Sequence, residues 1–117
     1  MMSLQTFIDK GYIDSQELEV LLEEREAKKA DFILVDVREE MEYEMGHIKG
    51  VDLLKPTSEF SQWALDLLNS SKDKTLIFTC RTGSRSGQVQ NVFKQNGHPN
   101  VINHYGGIVT YRGETER

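Results

Sequence analysis

Thr75-Leu76-Ile77-Phe78-Thr79-Cys80-Arg81-Thr82-Gly83-Ser84-Arg85-Ser86 runs from an apolar segment into a polar, arginine-bearing loop, and a helical pattern from Gln88 to Gln95 follows it. That order reads as a buried strand, a tight loop and the start of a helix, with the chain's single cysteine at the hinge. Unpaired backbone N–H groups at a helix N-terminus point outward and favour anions. The same field lowers a thiol pKa, and Arg81 and Arg85 add to it. The stretch therefore predicts a reactive thiolate that handles an anionic or sulfur-bearing substrate.

Outward from the loop, strands alternate with helices. Tyr12-Ile13 is a short edge strand. Asp14, with Glu17 three residues on, has the pattern of a capping box. Leu18, Leu21 and Leu22 then form the apolar stripe of a helix expected to end near Lys29, and its acidic faces read as solvated surface. Phe32 to Val37 is almost uninterrupted apolar sequence, as suits a strand buried on both faces. Glu39 to Met45 reads as a short helix stopped by Gly46, and Val51 to Leu54 as a brief strand before Pro56. From Ser58 to Asn69, the residues Phe60, Trp63, Ala64, Leu67 and Leu68 share one helix face, with Ser58 as the expected cap. After the loop, Val89, Val92 and Phe93 mark a helix that stops at Asn96-Gly97. Val101-Ile102 is a further strand, followed by Gly106-Gly107 and a terminal helical turn. This alternation predicts an α/β layer fold with a mostly parallel central sheet.

A chain of 117 residues fits one domain, since single cores span about 50 to 200 residues. It carries 38% hydrophobic and 28% charged residues, as ordinary globular proteins do. No apolar run approaches the roughly 20 residues of a membrane helix. The start has no basic region followed by an apolar core, so no secretory signal is expected and the cytoplasm is the default compartment. Met1-Met2-Ser3-Leu4 carries no weight in the reading. Nineteen acidic against fourteen basic residues, a net charge of −5, argue against general nucleic-acid binding. One cysteine excludes an intrachain disulfide, and His47, His98 and His104 share no metal-ligand spacing, so no metal is expected.

Three segments resemble one family. Val35-Asp36-Val37-Arg38-Glu39 with Glu42-Tyr43 and Gly46-His47-Ile48-Lys49-Gly50 resembles the first signature of the rhodaneses. Cys80 to Ser86 resembles their active-site loop, and Gly97, Asn100-Val101 and Gly106-Gly107-Ile108 resemble their closing segment. The resemblance covers about residues 15–111, in the expected order. It implies the rhodanese-like three-layer fold, with a five-stranded sheet flanked by helices. Val51 stands where alanine is usual, His104-Tyr105 replaces the usual pair before the glycines, and Tyr111 stands where tryptophan is common. These departures affect the pocket wall, and no group that the reaction needs is missing.

The resemblance implies a sulfurtransferase. Cys80 takes a sulfane sulfur from a small donor such as thiosulfate, becomes a persulfide, and passes the sulfur to cyanide or a thiol. No cofactor or metal is implied. Arg81, Thr82, Gly83, Ser84 and Arg85 form the expected anion-binding loop. Gly83 is the natural position for a backbone conformation closed to other residues. Ser84 either donates to the sulfur or caps the following helix, and the second role needs no special function. Arg85 is expected to turn inward to Asp36 or Glu42, leaving Arg81 to meet the donor; the reverse assignment stays open. Asp36 and Arg38 read as a structural ion pair at a strand end, where open α/β sheets place their sites. His47 invites a Cys–His dyad, but its place in the Gly-His-Ile segment favours a structural histidine. Tyr105 and Tyr111 are candidates to line the pocket.

With no second cysteine, a Cys80 persulfide must deliver its sulfur outside the chain, to a small thiol, cyanide, thioredoxin or another protein. Two rivals stand beside this reading. One is a persulfide carrier or regulatory interaction module. The other is a phosphatase of the cell-division-cycle type, which shares the rhodanese fold but needs Cys-x5-Arg, whereas Cys80 to Arg85 is Cys-x4-Arg. Neither nucleic acid nor membrane is an expected partner.

Overall fold

The computed structural model describes residues 3–117, so Met1 and Met2 lie outside the described residues. Along the chain come α1 (Leu4–Lys10), β1 (Tyr12–Ile13), α2 (Ser15–Glu26), β2 (Ile33–Asp36), α3 (Glu40–Met45), β3 (His47–Ile48) and β4 (Leu53–Leu54). A 3-10 turn at Thr57–Glu59 leads into α4 (Phe60–Ser70), then β5 (Leu76–Thr79), α5 (Ser84–Gln95) and β6 (Val101–His104). A second 3-10 turn at Ile108–Thr110 and β7 (Thr115–Glu116) follow. The sheet order is β1-β6-β5-β2-β4, and every pairing in it is parallel.

Alternation along the strands divides the core into two layers. Val35, Leu76, Phe78 and Val101 turn to one face, where they meet Trp63 and Leu67 of α4 and Val89 and Phe93 of α5. Leu34, Ile77 and Ile102 turn to the other, against Phe7 of α1 and Leu18 and Leu21 of α2. A strand apolar on both faces can sit only between two layers, and the register places these residues side by side: Leu34 beside Ile77, and Ile77 beside Ile102. Phe78 and Phe93 meet edge to face at 5.0 Å. No helix among the described residues is long and apolar enough to cross a membrane.

Several boundaries depart from the sequence reading. α2 ends at Glu26, before Lys29, because Lys28 takes φ 63° and the chain turns back. Lys28 N donates to Arg25 O and Lys29 N to Glu24 O, a Schellman stop built without glycine. The brief strand is confined to Leu53–Leu54. Ser58 does not cap α4: its N–H and hydroxyl both donate to the Glu39 carboxylate, and the helix starts at Phe60. α5 starts four residues before its apolar periodicity, at Ser84. On α5, Val89 and Phe93 are buried but Val92 faces solvent. α1 and the antiparallel β3–β7 pair have no counterpart in the sequence reading.

Phe78 fills the space between β5 and α5 without any solvent contact. Replacing it by alanine should destabilise the protein by about 3–5 kcal/mol, read as a lower urea midpoint with an unchanged slope.

Candidate active site

Cys80 follows the last residue of β5, at the carboxyl edge of the sheet, and is 1% exposed. The chain leaves the strand there and winds into α5 through Gly83, whose φ of 96° lies in the left-handed region. A side chain at this position would also press on the His104 carbonyl and the Gly106 amide, each 3.1 Å from the place of a Cβ. Glycine is therefore required both for the turn and for the close approach of the following segment.

This winding aims loop donors at the sulfur. Gly83 N lies 3.1 Å from Cys80 Sγ, Ser86 N 3.5 Å and Ser86 Oγ 3.4 Å. Burial is the largest influence on the thiol and pushes its pKa up. Against it act the Ser86 hydroxyl and the amides of Ser86, Thr82 and Gly83, and the balance leaves the thiol below its ordinary value. Asn103 on β6 holds one of these donors and the loop beside them: its Oδ1 accepts from Ser86 Oγ at 2.6 Å, and its Nδ2 donates to Gly83 O at 3.1 Å. Ser86 thus shares one hydroxyl proton between Asn103 and the sulfur.

Ser84 takes neither of its two expected roles. It is exposed at the first position of α5, the cap position belongs to Gly83, and the hydroxyl that approaches the sulfur is that of Ser86. Serine at both position 84 and position 86 made the choice ambiguous in sequence: only the helical turn decides that position 86, and not 84, faces inward.

The two loop arginines separate. Arg85 makes a double contact with Glu42, Nη1 to Oε1 at 2.7 Å and Nη2 to Oε2 at 3.0 Å. The Arg85 hydrogen bond is the main reason that the Glu42 carboxyl falls to about 2. Arg81 is exposed and makes no ion pair among the described residues. Asp36 does not reach Arg85. Its carboxylate takes Arg38 Nη2 at 2.9 Å, and both residues are buried. Arg38 continues to Gly46 O at 2.8 Å and Glu42 O at 3.3 Å. The strand end, α3 and the loop are therefore tied together through Arg38, Glu42 and Arg85.

His47 lies apart from the sulfur. It stacks on Tyr43 with ring centroids 3.7 Å apart, donates Nδ1–H to Tyr43 O at 3.0 Å and places Nε2 3.6 Å from Glu116. Tyr105 and Tyr111 line two surface hollows, of about 640 and 560 Å³, and neither hollow includes Cys80. Thr82 lies exposed in the loop.

Comparison with known proteins agrees with this arrangement. The rhodanese-like domain profile matches residues 16–114. A tRNA uridine(34) hydroxylase of Erwinia tasmaniensis is 32% identical over 104 residues, which are 86% of this chain and 28% of that protein. The chloroplastic rhodanese-like/PpiC domain-containing protein 12 of Arabidopsis thaliana is 38% identical over 81 residues, 67% of this chain and 26% of that one. The chain thus spans about a quarter of the length of these relatives. The crystal structure of a rhodanese-like domain protein from Staphylococcus aureus superposes with a TM-score of 0.69 at 28% identity, over 88% of this chain and 92% of that one. With a domain profile matched over most of its length, its sheet order and its cysteine loop, the chain belongs to the rhodanese-like domain family.

Proposed function

We propose that this protein is a sulfurtransferase that carries a sulfane sulfur through a Cys80 persulfide. The observation that supports it most is the convergence of the Gly83 and Ser86 amides on Cys80 Sγ. Such a ring of donors stabilises a thiolate before reaction and a persulfide anion after it.

In the first half-reaction the Cys80 thiolate attacks the outer sulfur of a donor such as thiosulfate. A new S–S bond forms, the donor's own S–S bond breaks, and sulfite leaves with its electron pair. In the second, cyanide or a thiolate attacks the terminal sulfur of the persulfide. The product is thiocyanate or a new persulfide, and the Cys80 thiolate is restored. Neither step needs a metal or an organic cofactor. The added sulfur lies about 2 Å beyond Sγ, which extends the reach of a nearly buried nucleophile towards its acceptor. Arg81, exposed and uncommitted, is the cation suited to the donor's sulfonate end, while Arg85 braces the loop against Glu42. As the only cysteine, Cys80 hands its sulfur to an external small molecule, thioredoxin or another protein.

A second reading draws on the relatives named tRNA uridine(34) hydroxylases. In it, the Cys80 loop serves a tRNA-modifying reaction, and turnover of small acceptors is incidental. Nucleoside analysis of tRNA from cells with and without the protein separates the two: a change confined to uridine 34 supports the second reading. Phosphate-ester hydrolysis fits less well, because the Cys80–Arg85 spacing is one residue shorter than the phosphatase loop and Arg85 is engaged by Glu42.

Intact-mass measurement after thiosulfate treatment should show a gain of one sulfur that cyanide removes, and Cys80→Ser should show none. No gain with any sulfur donor would sink the sulfurtransferase reading. Arg81→Ala should raise the thiosulfate KM by roughly tenfold with little change in kcat, as loss of a docking charge does; an unchanged KM removes Arg81 from that role. The Glu42 carboxyl is depressed from 4.5 to about 2 in the folded protein. Its contribution to stability is therefore complete above 4.5 and is lost as pH falls towards 2. Glu42→Gln should be less stable than the parent at pH 7, and urea midpoints should converge as the pH is lowered through that window.

A further inference from the structure

His104, at the end of β6, is completely buried and bonds at both ring nitrogens. Nδ1 lies 2.7 Å from Thr79 Oγ1, on the residue just before Cys80, and Nε2 lies 2.7 Å from Ser15 Oγ at the start of α2. Ser15 Oγ is in turn 2.7 Å from Thr110 Oγ1, which donates to Gly107 O at 3.0 Å. These bonds form one chain from the strand that carries the nucleophile to the turn that follows β6.

The direction of the chain follows from counting protons. Each hydroxyl has one, and a neutral imidazole has one N–H. Thr110 spends its proton on Gly107 O, so Ser15 must donate to Thr110. Ser15 then accepts from His104, which puts the imidazole proton on Nε2. Nδ1 is left bare and accepts from Thr79. The opposite direction would take the Thr110 proton from Gly107 O and leave Thr79 with only the Cys80 carbonyl, 3.5 Å away. Burial, opposed by the pull of Asp14, lowers the His104 pKa to about 4 and keeps the ring neutral near pH 7.

The far end of the chain is the turn that holds the loop. Ile108 N donates to Cys80 O at 2.9 Å and Val109 N to Arg81 O at 3.2 Å. Gly107 lies so close beneath the Arg81 carbonyl that any side chain there would overlap it. The carbonyls on either side of the Cys80–Arg81 bond are thereby turned away from the sulfur, and the later loop amides face it. We infer that His104, as its neutral Nε2–H tautomer, is a positioning residue for Cys80: it couples Thr79, on the strand side of the nucleophile, to the turn that orients the loop carbonyls. The inference takes Cys80 as the reacting group, as proposed above, but does not depend on the identity of the sulfur donor.

Two measurements test it. Nitrogen-15 correlation spectra of the imidazole at pH 7 should show the Nε2–H tautomer with Nδ1 as an acceptor; an Nδ1–H tautomer or an imidazolium would overturn the assignment. The pH profile of Cys80 alkylation by iodoacetamide reports loop orientation without any sulfur donor. His104→Leu and Thr79→Val should alkylate roughly tenfold more slowly at pH 7, with the midpoint shifted upward, since sub-ångström misplacement suffices for such losses. Thr79→Ser and His104→Gln, which can keep a donor and an acceptor in place, should recover much of the rate, and they also serve if His104→Leu fails to fold. Variants that melt earlier yet keep the parent alkylation profile would reduce His104 to a packing role and overturn the inference. A parent protein that gains no sulfur from any donor, alongside the expected alkylation results, would remove the sulfur-transfer reading and still support the inference.

Discussion

The Cys80–Arg81 segment is held by its carbonyls. The amides of Ile108 and Val109 take the two oxygens, and once those face away from the sulfur the loop has to turn its later N–H groups inward. Gly83 makes the turn sterically possible, and Asn103 holds Gly83 O and Ser86 Oγ in register with β6. Fixed dipoles thus face the sulfur and lower the Cys80 pKa against the effect of burial. The central sheet exists, in this sense, to bring the ends of β5 and β6 close enough for one turn to grip the other.

Charge is arranged locally, against the sign of the whole molecule. The protein carries a net charge of −5, yet the cations nearest the loop have separate assignments. Arg38 is buried in a pair with Asp36 and reaches out to backbone oxygens of α3. Arg85 is neutralised by Glu42. A buried pair left incomplete is far more costly than one absent altogether, so the Asp36–Arg38 unit is best understood as a rigid peg for α3. Glu42 joins that peg to the loop. Arg81, by contrast, is exposed and forms no ion pair among the described residues.

The relatives give this arrangement a wider setting. The chain corresponds to about a quarter of the tRNA uridine(34) hydroxylases it matches, so a similar segment occurs within larger proteins that are named for a reaction on tRNA. A fold does not define an activity.

Much of this was legible in residue order. The uninterrupted apolar runs around Leu34 and Ile77 demanded a two-sided environment, and the glycine after Cys80-Arg81-Thr82 marked a turn, because such local requirements are written in neighbouring side chains. Other boundaries were not: the glycine-free stop at Lys28 has no residue that favours its left-handed conformation, and the Ser58–Glu39 contact and the β3–β7 pair join segments far apart in the chain. The site divided in the same way. Sequence alone determined which residue is the candidate nucleophile, that four residues separate it from Arg85, and that strands alternate with helices. Only the tertiary structure decided that Ser86 rather than Ser84 faces the sulfur, that Arg85 rather than Arg81 is engaged, and that His104 sits between Thr79 and Ser15. The Arg85 and His104 contacts join side chains 25 to 89 positions apart, which no local spacing encodes, and the Ser86 contact depends on how the loop winds into α5.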